Sequence, residues 1–341
     1  MFEYPFSPDF ENKKSSKLTL GYNFNFSKGS EEFLFPDIIS KNTAYHHCEK
    51  KSKWNNLIYN LMIYCKEVKI KTLIIIFDND NFKDFNVDLY EKIDPPLDWN
   101  PVEKYEIGTH ICINKNIQNT LQNLPPKIPF QIFIGNPKSY EPSITPSCLN
   151  LINEKELSIY VHAPYIFNLA RPNKSSNMKK FLIEATKHGM KGVVFHVGKS
   201  VNMNIEEAYK NMENNILDSI DDKLCPLLLE TPAGQGTEML TNYEDFLNFS
   251  IKIKNKKKGN FGICLDSCHI NSTGYCPYQY LKYFIKKKEK IDLIHYNDSQ
   301  TNLRSKVDRH AEIGMGKINW KSLENFAKLA NKHKIDMVTE F

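Results

Sequence analysis

Nine side chains spread from His162 to Glu340 could do chemistry together: His162, His196, Glu230, Asp266, His269, His295, Asp308, His310 and Glu340. Nearly all stand at the end of a short apolar run, just before a loop. Imidazole and carboxylate are the two side chains that jointly bind zinc, manganese or iron. Nine of them recurring this way point to several metals in one site, and so to metal-assisted hydrolysis of a substrate rich in negative charge. LDSCH supplies Asp266 and His269, three residues apart at a strand end; DRH supplies Asp308 and His310, two apart, on one face if extended. A single histidine on an apolar strand is usually a core residue with one satisfied hydrogen bond. For His162, His196 or His295 taken alone that is the simpler reading. Their recurrence at successive strand ends favours ligation. Cys264 and Cys268 flank the set. Cys264 is expected to pack as an inert thiol, and Cys268 is left out of the ligands. The glycines of ETPAGQG (230–236) and IGMGKI (313–318) match no P-loop pattern and read as turns.

The elements that must position these residues begin near residue 104. Strand-like runs are YEIGTHICI (105–113), PFQIFIG (129–135), LSIYVHAP (157–164), GVVFHVG (192–198), PLLLETP (226–232), FGICLDSCH (261–269), IDLIHYN (291–297) and IDMVTEF (335–341). Between several of them lie stretches with apolar residues at helical spacing, among them 178–190, 205–220 and 319–333. Eight strands with helical crossovers predict an α/β fold of the (β/α)8 TIM-barrel type. In that fold functional residues gather where strands end. The nine residues fall at or just beyond the ends of strands three to eight. A carboxylate closing LLLE or GICLD would be costly in a buried parallel strand unless paired or metal-bound.

The sequence has 341 residues, 41% of them hydrophobic, enough for a large core. It shows no run of about 20 apolar residues and no signal-peptide order, so no membrane role is expected. Eight cysteines without CxxC pairs suit an intracellular, reducing compartment, cytoplasm or nucleus. Net charge is +5 but uneven: residues 1–103 carry −3 and residues 104–341 carry +8. Four acids of the second part are ligand candidates, so with metals bound it becomes more positive still. A polyanion such as nucleic acid is a plausible partner. A Lys-rich solvated surface is the plainer alternative.

Residues 1–103 do not fit the repeat and read as an amino-terminal extension of the barrel at 104–341. They contain a helix candidate at 53–68, a strand candidate at 71–78, and the proline-rich linker DPPLDWNPVEK at 94–104. The adjacent pair His46–His47 points two ways on any regular element and is read as non-ligating.

The segments VHAPYIFNLARP, FHVGKS, LLETPAGQGTEM, GICLDSCHINSTGY, IHYNDSQ and DRHAEIGMGKI resemble, in order, the signature blocks of endonuclease IV, the zinc-dependent apurinic/apyrimidinic endonuclease family. IGTHI (107–111) and IFIGNPKSY (132–140) extend the likeness to the start of the barrel. The resemblance covers about residues 104 to 341. It implies three zinc ions, with manganese or iron as alternatives. One would be held by His162, His196 and Glu230. A second would share Glu230 and add Asp266, His295 and Glu340. A third would use His269, Asp308 and His310. Glu230 and Glu340 would be the catalytic carboxylates, Glu340 helping to orient or deprotonate the nucleophile.

The family hydrolyses the backbone on the 5′ side of an abasic site in duplex DNA, leaving a 3′-hydroxyl and a 5′-deoxyribose phosphate. By similarity Lys138, Tyr140, Tyr165 and Ile166 would contact DNA. Lys138 stands where arginine is common, which keeps the charge and loses the planar fork. A monomer is expected, with the extension open to a protein partner. Family members usually continue past the last strand into another helix, whereas this sequence stops one residue after Glu340. Either a helix near Trp54, Leu57, Ile58, Leu61 and Met62 covers that flank, or the sequence is a fragment. The competing function is a metal-dependent sugar isomerase or epimerase of similar barrel fold. Such enzymes need one or two metals, and the His269, Asp308 and His310 set speaks against them. A catalytically silent binder of damaged DNA would need a broken ligand set.

Overall fold

The structure, a computed structural model, describes residues 94–111, 117–144, 150, 152 and 154–341, and the backbone of four earlier strands. Two compact units divide the chain, Met1–Glu91 and Lys92–Phe341. In the first, β1 (Ile38–Ser40), β2 (Thr43–Cys48), β3 (Thr72–Phe77) and β4 (Phe82–Asn86) form one sheet in that order. β2 and β3 run parallel, and the outer pairings are antiparallel. The strand expected at 71–78 is β3, and His46 and His47 lie in β2. The expected helix at 53–68, with its proposed cover for the barrel flank, lies outside the described residues.

The second unit is a closed barrel of eight parallel strands. In ring order they are β5 (Gly108–Ile111), β6 (Pro129–Phe133), β7 (Ser158–His162), β8 (Val193–His196), β9 (Leu227–Glu230), β10 (Phe261–Asp266), β11 (Leu293–His295) and β14 (Asp336–Thr339). β14 closes on β5 through Val338 opposite Gly108 and Thr339 opposite Thr109. All eight fall within the apolar runs read from sequence. Gly108 is required there: a Cβ would lie 1.5 Å from the Pro129 carbonyl oxygen, so any side chain would push β5 off β6.

Strand periodicity sets up the site. Tyr160, Val194, Leu228, Cys264, Leu293 and Val338 form one buried cluster drawn from six neighbouring strands. Each stands two residues before His162, His196, Glu230, Asp266, His295 and Glu340 respectively. Successive side chains alternate across a strand. The layer above this apolar floor is therefore formed by those six polar residues. The outer helices follow the complementary rule. Ser175–Lys187 buries Met178, Phe181, Leu182 and Ala185, and Trp320–Lys332 buries Leu323, Phe326, Ala327 and Ala330, both at helical spacing. Asn204, Asn242 and Asn319 cap helices by accepting hydrogen bonds from backbone N–H groups of the first turn.

The segment expected as a linker at 94–104 is fastened to the barrel's last helix. Trp99 Nε1 donates to Glu324 Oε2 at 2.9 Å. Lys104 and the Tyr105 hydroxyl both meet Glu324 Oε1, at 2.5 and 2.8 Å. Among the described residues no helix is long and apolar enough to cross a membrane. Cys225, Cys264, Cys268 and Cys276 are buried free thiols.

Candidate metal centre

Five of the nine residues are the last residue of a barrel strand: His162, His196, Glu230, Asp266 and His295. Glu340 follows β14 directly. The run expected as one strand over 261–269 instead turns at Asp266 into a short helix, Ser267–Ser272. Asp266 itself is the reason. Its Oδ1 accepts the backbone N–H of His269 at 2.7 Å, an N-cap that starts the helix and brings His269 under the same rim. Asp308 and His310 come from an excursion after β11. There β12 (Asp298–Ser299) pairs with β13 (His310–Ala311) in a two-stranded antiparallel ribbon that sequence periodicity did not signal.

The structure brings all nine together in three groups, two of which share a residue. Within each, one ligand atom per residue lies within 4.8 Å of the others: His162, His196 and Glu230; Glu230, Asp266, His295 and Glu340; His269, Asp308 and His310. Glu230 belongs to two of them. Its Oε2 stands 3.1 Å from His196 Nε2 and 3.6 Å from His162 Nε2. Its Oε1 stands 2.9 Å from His295 Nδ1. In the third group Asp308 reaches His269 Nε2 at 3.3 Å and His310 Nε2 at 3.1 Å. Asp266, Cys268 and His310 also fall together. The Cys268 thiol, though, is pushed up to about 12 by burial and donates to the Arg309 carbonyl at 3.6 Å.

The imidazoles are held in chosen tautomers. His162 Nδ1 donates to the Ala163 carbonyl at 2.7 Å, and His269 Nδ1 to the Thr231 carbonyl at 2.8 Å. Each is left to present Nε2. Burial alone would raise the Glu230 carboxyl, yet the neighbouring His196 and His295 hold it well below the usual range. Glu340 is held low by His295, and Asp308 by His269 and His310, in both cases against burial. Burial would lower His310, but the hydrogen bond to Asp308 and the charge of Asp266 push it up to about 9. Burial raises Asp266 more than His269 and His310 lower it. Four carboxylates share one cavity rim, and the field they create calls for compensating positive charge.

The donor set fits divalent metal. His269 Nε2, His310 Nε2 and Glu230 Oε2 are buried and face only other members of the centre, Asp308 at 3.3 and 3.1 Å and His196 at 3.1 Å. All are nitrogen or oxygen donors of the kind zinc takes.

Four polar residues that the sequence reading passed over hold this layer in place. Asn297, fully buried, donates to Asp266 Oδ2 at 2.7 Å and Glu340 Oε2 at 3.2 Å, and its Oδ1 accepts the Glu340 N–H at 2.8 Å. Asp298, also fully buried, accepts backbone N–H groups of Ser299, Gly314, Gly316 and Ile318 at 2.7–3.1 Å. It ties down the IGMGKI turn, and a Cβ on Gly316 would lie 2.3 Å from its Oδ1. Gln131 donates to Glu340 Oε1 at 2.6 Å and meets His110 Nδ1 at 3.0 Å. Their signal was a glutamine inside the apolar run PFQIFIG and a histidine inside IGTHI.

The rim is aromatic. Tyr165 is 63% exposed, and its ring centroid lies 5.2 Å from that of His162 and 5.7 Å from that of His196. Ile166 is half-buried beside it. Tyr140 braces this loop: its hydroxyl donates to the Ile166 carbonyl at 3.2 Å and its ring packs against Phe167. Lys138 is exposed nearby in sequence, its backbone N–H bonded to Asn136 Oδ1 at 2.8 Å.

Comparison with known proteins adds a family. The profile of the family described as xylose isomerase-like TIM barrel matches residues 130–340. The "Probable endonuclease 4" of Malacoplasma penetrans is 31% identical over 231 residues, covering 60% of this chain and 79% of that one. Its counterpart in Mesomycoplasma hyopneumoniae strain J is 32% identical over 242 residues, covering 64% and 86%. Among solved structures, endonuclease IV from Thermus thermophilus superposes with a TM-score of 0.55 at 22% identity, covering 69% of this chain and 91% of that one.

Proposed function

Since the chain belongs to the endonuclease IV family of xylose isomerase-like TIM barrels, we propose that it hydrolyses duplex DNA at abasic sites, on the 5′ side of the lesion. Water adds to phosphorus, the P–O3′ bond breaks, and the products are a 3′-hydroxyl and a 5′-deoxyribose phosphate. The observation that carries this reading is the third ligand group. His269, Asp308 and His310 add a third group to the pair that shares Glu230, more than a sugar isomerase or epimerase needs.

Three zinc ions are the proposed complement: one on His162, His196 and Glu230, one on Glu230, Asp266, His295 and Glu340, one on His269, Asp308 and His310. Bound there, divalent ions supply Lewis acidity toward a phosphodiester and acidify water at neutral pH. The protein's own part is placement. Glu230 spans two groups and keeps them in fixed relation. Glu340, oriented by Gln131 and Asn297, is the proposed base that orients or takes the proton of the attacking water. Tyr165 and Ile166 are the proposed wedge into the base stack, with Tyr140 as their brace and Lys138 as a backbone contact. Extrusion costs least where a base is already missing, which favours the abasic nucleotide.

The test is incision of a labelled duplex carrying one abasic-site analogue, with wild type and Glu230→Gln, before and after metal stripping and zinc re-addition. Metal-dependent cleavage 5′ to the lesion by wild type alone is expected. Absence of cleavage by a fully metal-loaded wild type refutes the nuclease reading.

A further inference from the structure

We infer that Gln131 is a positioning residue that sets the tautomer of His295 and the orientation of Glu340, and so preorganises the Glu230, Asp266, His295 and Glu340 group for its metal. The inference rests on the metal-centre reading above and deepens it.

Gln131 lies in β6, fully buried, in the middle of the apolar run 129–135. A buried carboxamide there must have every polar atom satisfied. Its Oε1 is 2.8 Å from His295 Nε2. Its Nε2 is 2.6 Å from Glu340 Oε1 and 3.0 Å from His110 Nδ1. The orientation of the amide follows from chemistry. A carboxylate only accepts, so the NH2 end faces Glu340 and the C=O end faces His295. The C=O end then requires a proton on His295 Nε2. The second N–H goes to His110 Nδ1, which therefore acts as an acceptor. One amide has two donors and one acceptor, and each has a partner.

Two consequences follow for the centre. With its proton held on Nε2, His295 leaves Nδ1 as the atom a metal ion would take, once it displaces any proton there, beside Glu230 Oε1 at 2.9 Å and Glu340 Oε2 at 3.0 Å. Three acceptors then converge on one point, the arrangement a cation resolves. Glu340, meanwhile, is gripped from both sides: Oε1 by Gln131 and Oε2 by Asn297 at 3.2 Å. Its carboxylate plane is fixed before metal arrives. Groups that orient a ligand in this way typically raise metal affinity by roughly 10–100-fold.

The experiment uses the full chain loaded with zinc alone. Native mass spectrometry during a chelator titration counts the ions retained by wild type, Gln131→Met and Gln131→Glu. Methionine keeps the volume and removes the hydrogen bonds. Glutamate keeps an acceptor for His295 and removes the N–H that Glu340 needs. In both variants one zinc is expected to leave at roughly 10–100-fold lower chelator concentration than in wild type, while the metal-free proteins melt within a few degrees of metal-free wild type. A chelator profile like that of wild type, with melting lowered equally with and without zinc, assigns Gln131 to packing alone and overturns the inference. Should the variants fail to fold, histidine-selective 15N NMR of zinc-loaded wild type decides. A proton on Nε2 and a metal-shifted Nδ1 of His295 supports the inference, and a metal-shifted Nε2 overturns it. A wild-type chain that takes up no zinc overturns the metal-centre reading itself, and this shows before any variant is made.

Discussion

Replacing Asp298 by asparagine should loosen one metal group while leaving the barrel standing. The carboxylate is fully buried and accepts four backbone N–H groups, Ser299 and Ile318 on Oδ1, Gly314 and Gly316 on Oδ2. The carboxamide that replaces it would keep one oxygen and place an NH2 against two donors. Two hydrogen bonds to a charged group are lost, each contributing about 1.5–3 kcal/mol, so the cost is about 3–6 kcal/mol. For a unit of this size about 2–4 °C accompanies each kcal/mol, giving a melting shift of about 6–24 °C. The perturbation is local. Asp298 pairs with Ala311, and Ser299 with His310, so the ribbon carrying Asp308 and His310 moves with it. Differential scanning fluorimetry reads the first effect and metal counting during chelation reads the second. In the zinc-loaded chain the ion proposed for His269, Asp308 and His310 should be released first, with the one proposed for His162, His196 and Glu230 retained. A melting shift below about 2 °C, or release of the His162 group first, would refute the account of Asp298 as the anchor of this loop.

Other expected outcomes are as direct. Gly108→Ala should yield insoluble protein, because its Cβ would lie 1.5 Å from the Pro129 carbonyl; recovery of a monomer with wild-type circular dichroism and melting contradicts the close approach of β5 and β6. Chelation of the zinc-loaded chain should lower its melting temperature by on the order of 10 °C, since ligand at 1,000 times Kd stabilises by about 4 kcal/mol; an unchanged melting curve argues against ions at the three groups. Tyr165→Ala should weaken binding of an abasic duplex by about tenfold or more, as a lost wedge would, with metal content unchanged; equal affinity in a shift assay removes Tyr165 from the interface. Glu213 is held below the usual carboxylate range: burial raises it, but Lys252 and Lys256 lower it more. Its folded value lies below its unfolded one, so its stabilising effect is complete above about 4.5 and is lost as pH falls through the folded value. Glu213→Gln should therefore flatten the acid limb of melting temperature against pH, and parallel curves for both proteins would count against the pairing.

Much of this fold could be read from the chain because buried parallel strands and amphipathic helices leave opposite periodicities. LLLE and GICLD are unbroken apolar runs that end in a charge, and the only comfortable place for such an end is the mouth of a barrel. The six ligand candidates that close strands were legible for the same reason. Asp266 and His269 were legible as a pair but not as cap and capped helix, since a short helix has too few turns to show a period. The ribbon that presents Asp308 and His310 joins Asp298–Ser299 to His310–Ala311, a pairing of two residues on each side that no pattern announces. Gln131, Asn297 and Asp298 escaped notice because their role is to hold other polar groups, and one polar residue in or beside an apolar run has no spacing of its own. Tyr140 was read by resemblance as a DNA contact; its hydroxyl bond to Ile166 shows the bracing work it does within the chain.

Glu324 receives Trp99, Lys104 and Tyr105 from the opposite end of the barrel unit, across 219 to 225 positions of sequence. That contact stands beside the seam where β14 meets β5, and Glu340 is the first residue past β14. The group that includes Glu340 is therefore expected to form late in folding. Loops that long close slowly, and until they do Glu340 has no bond from Gln131. A half-assembled barrel can offer His162, His196 and Glu230 from adjoining strands, but not the group that needs Glu340. Order of metal uptake during refolding would then record the order in which the ring is built, with the ion touching Glu340 arriving only after the seam has shut.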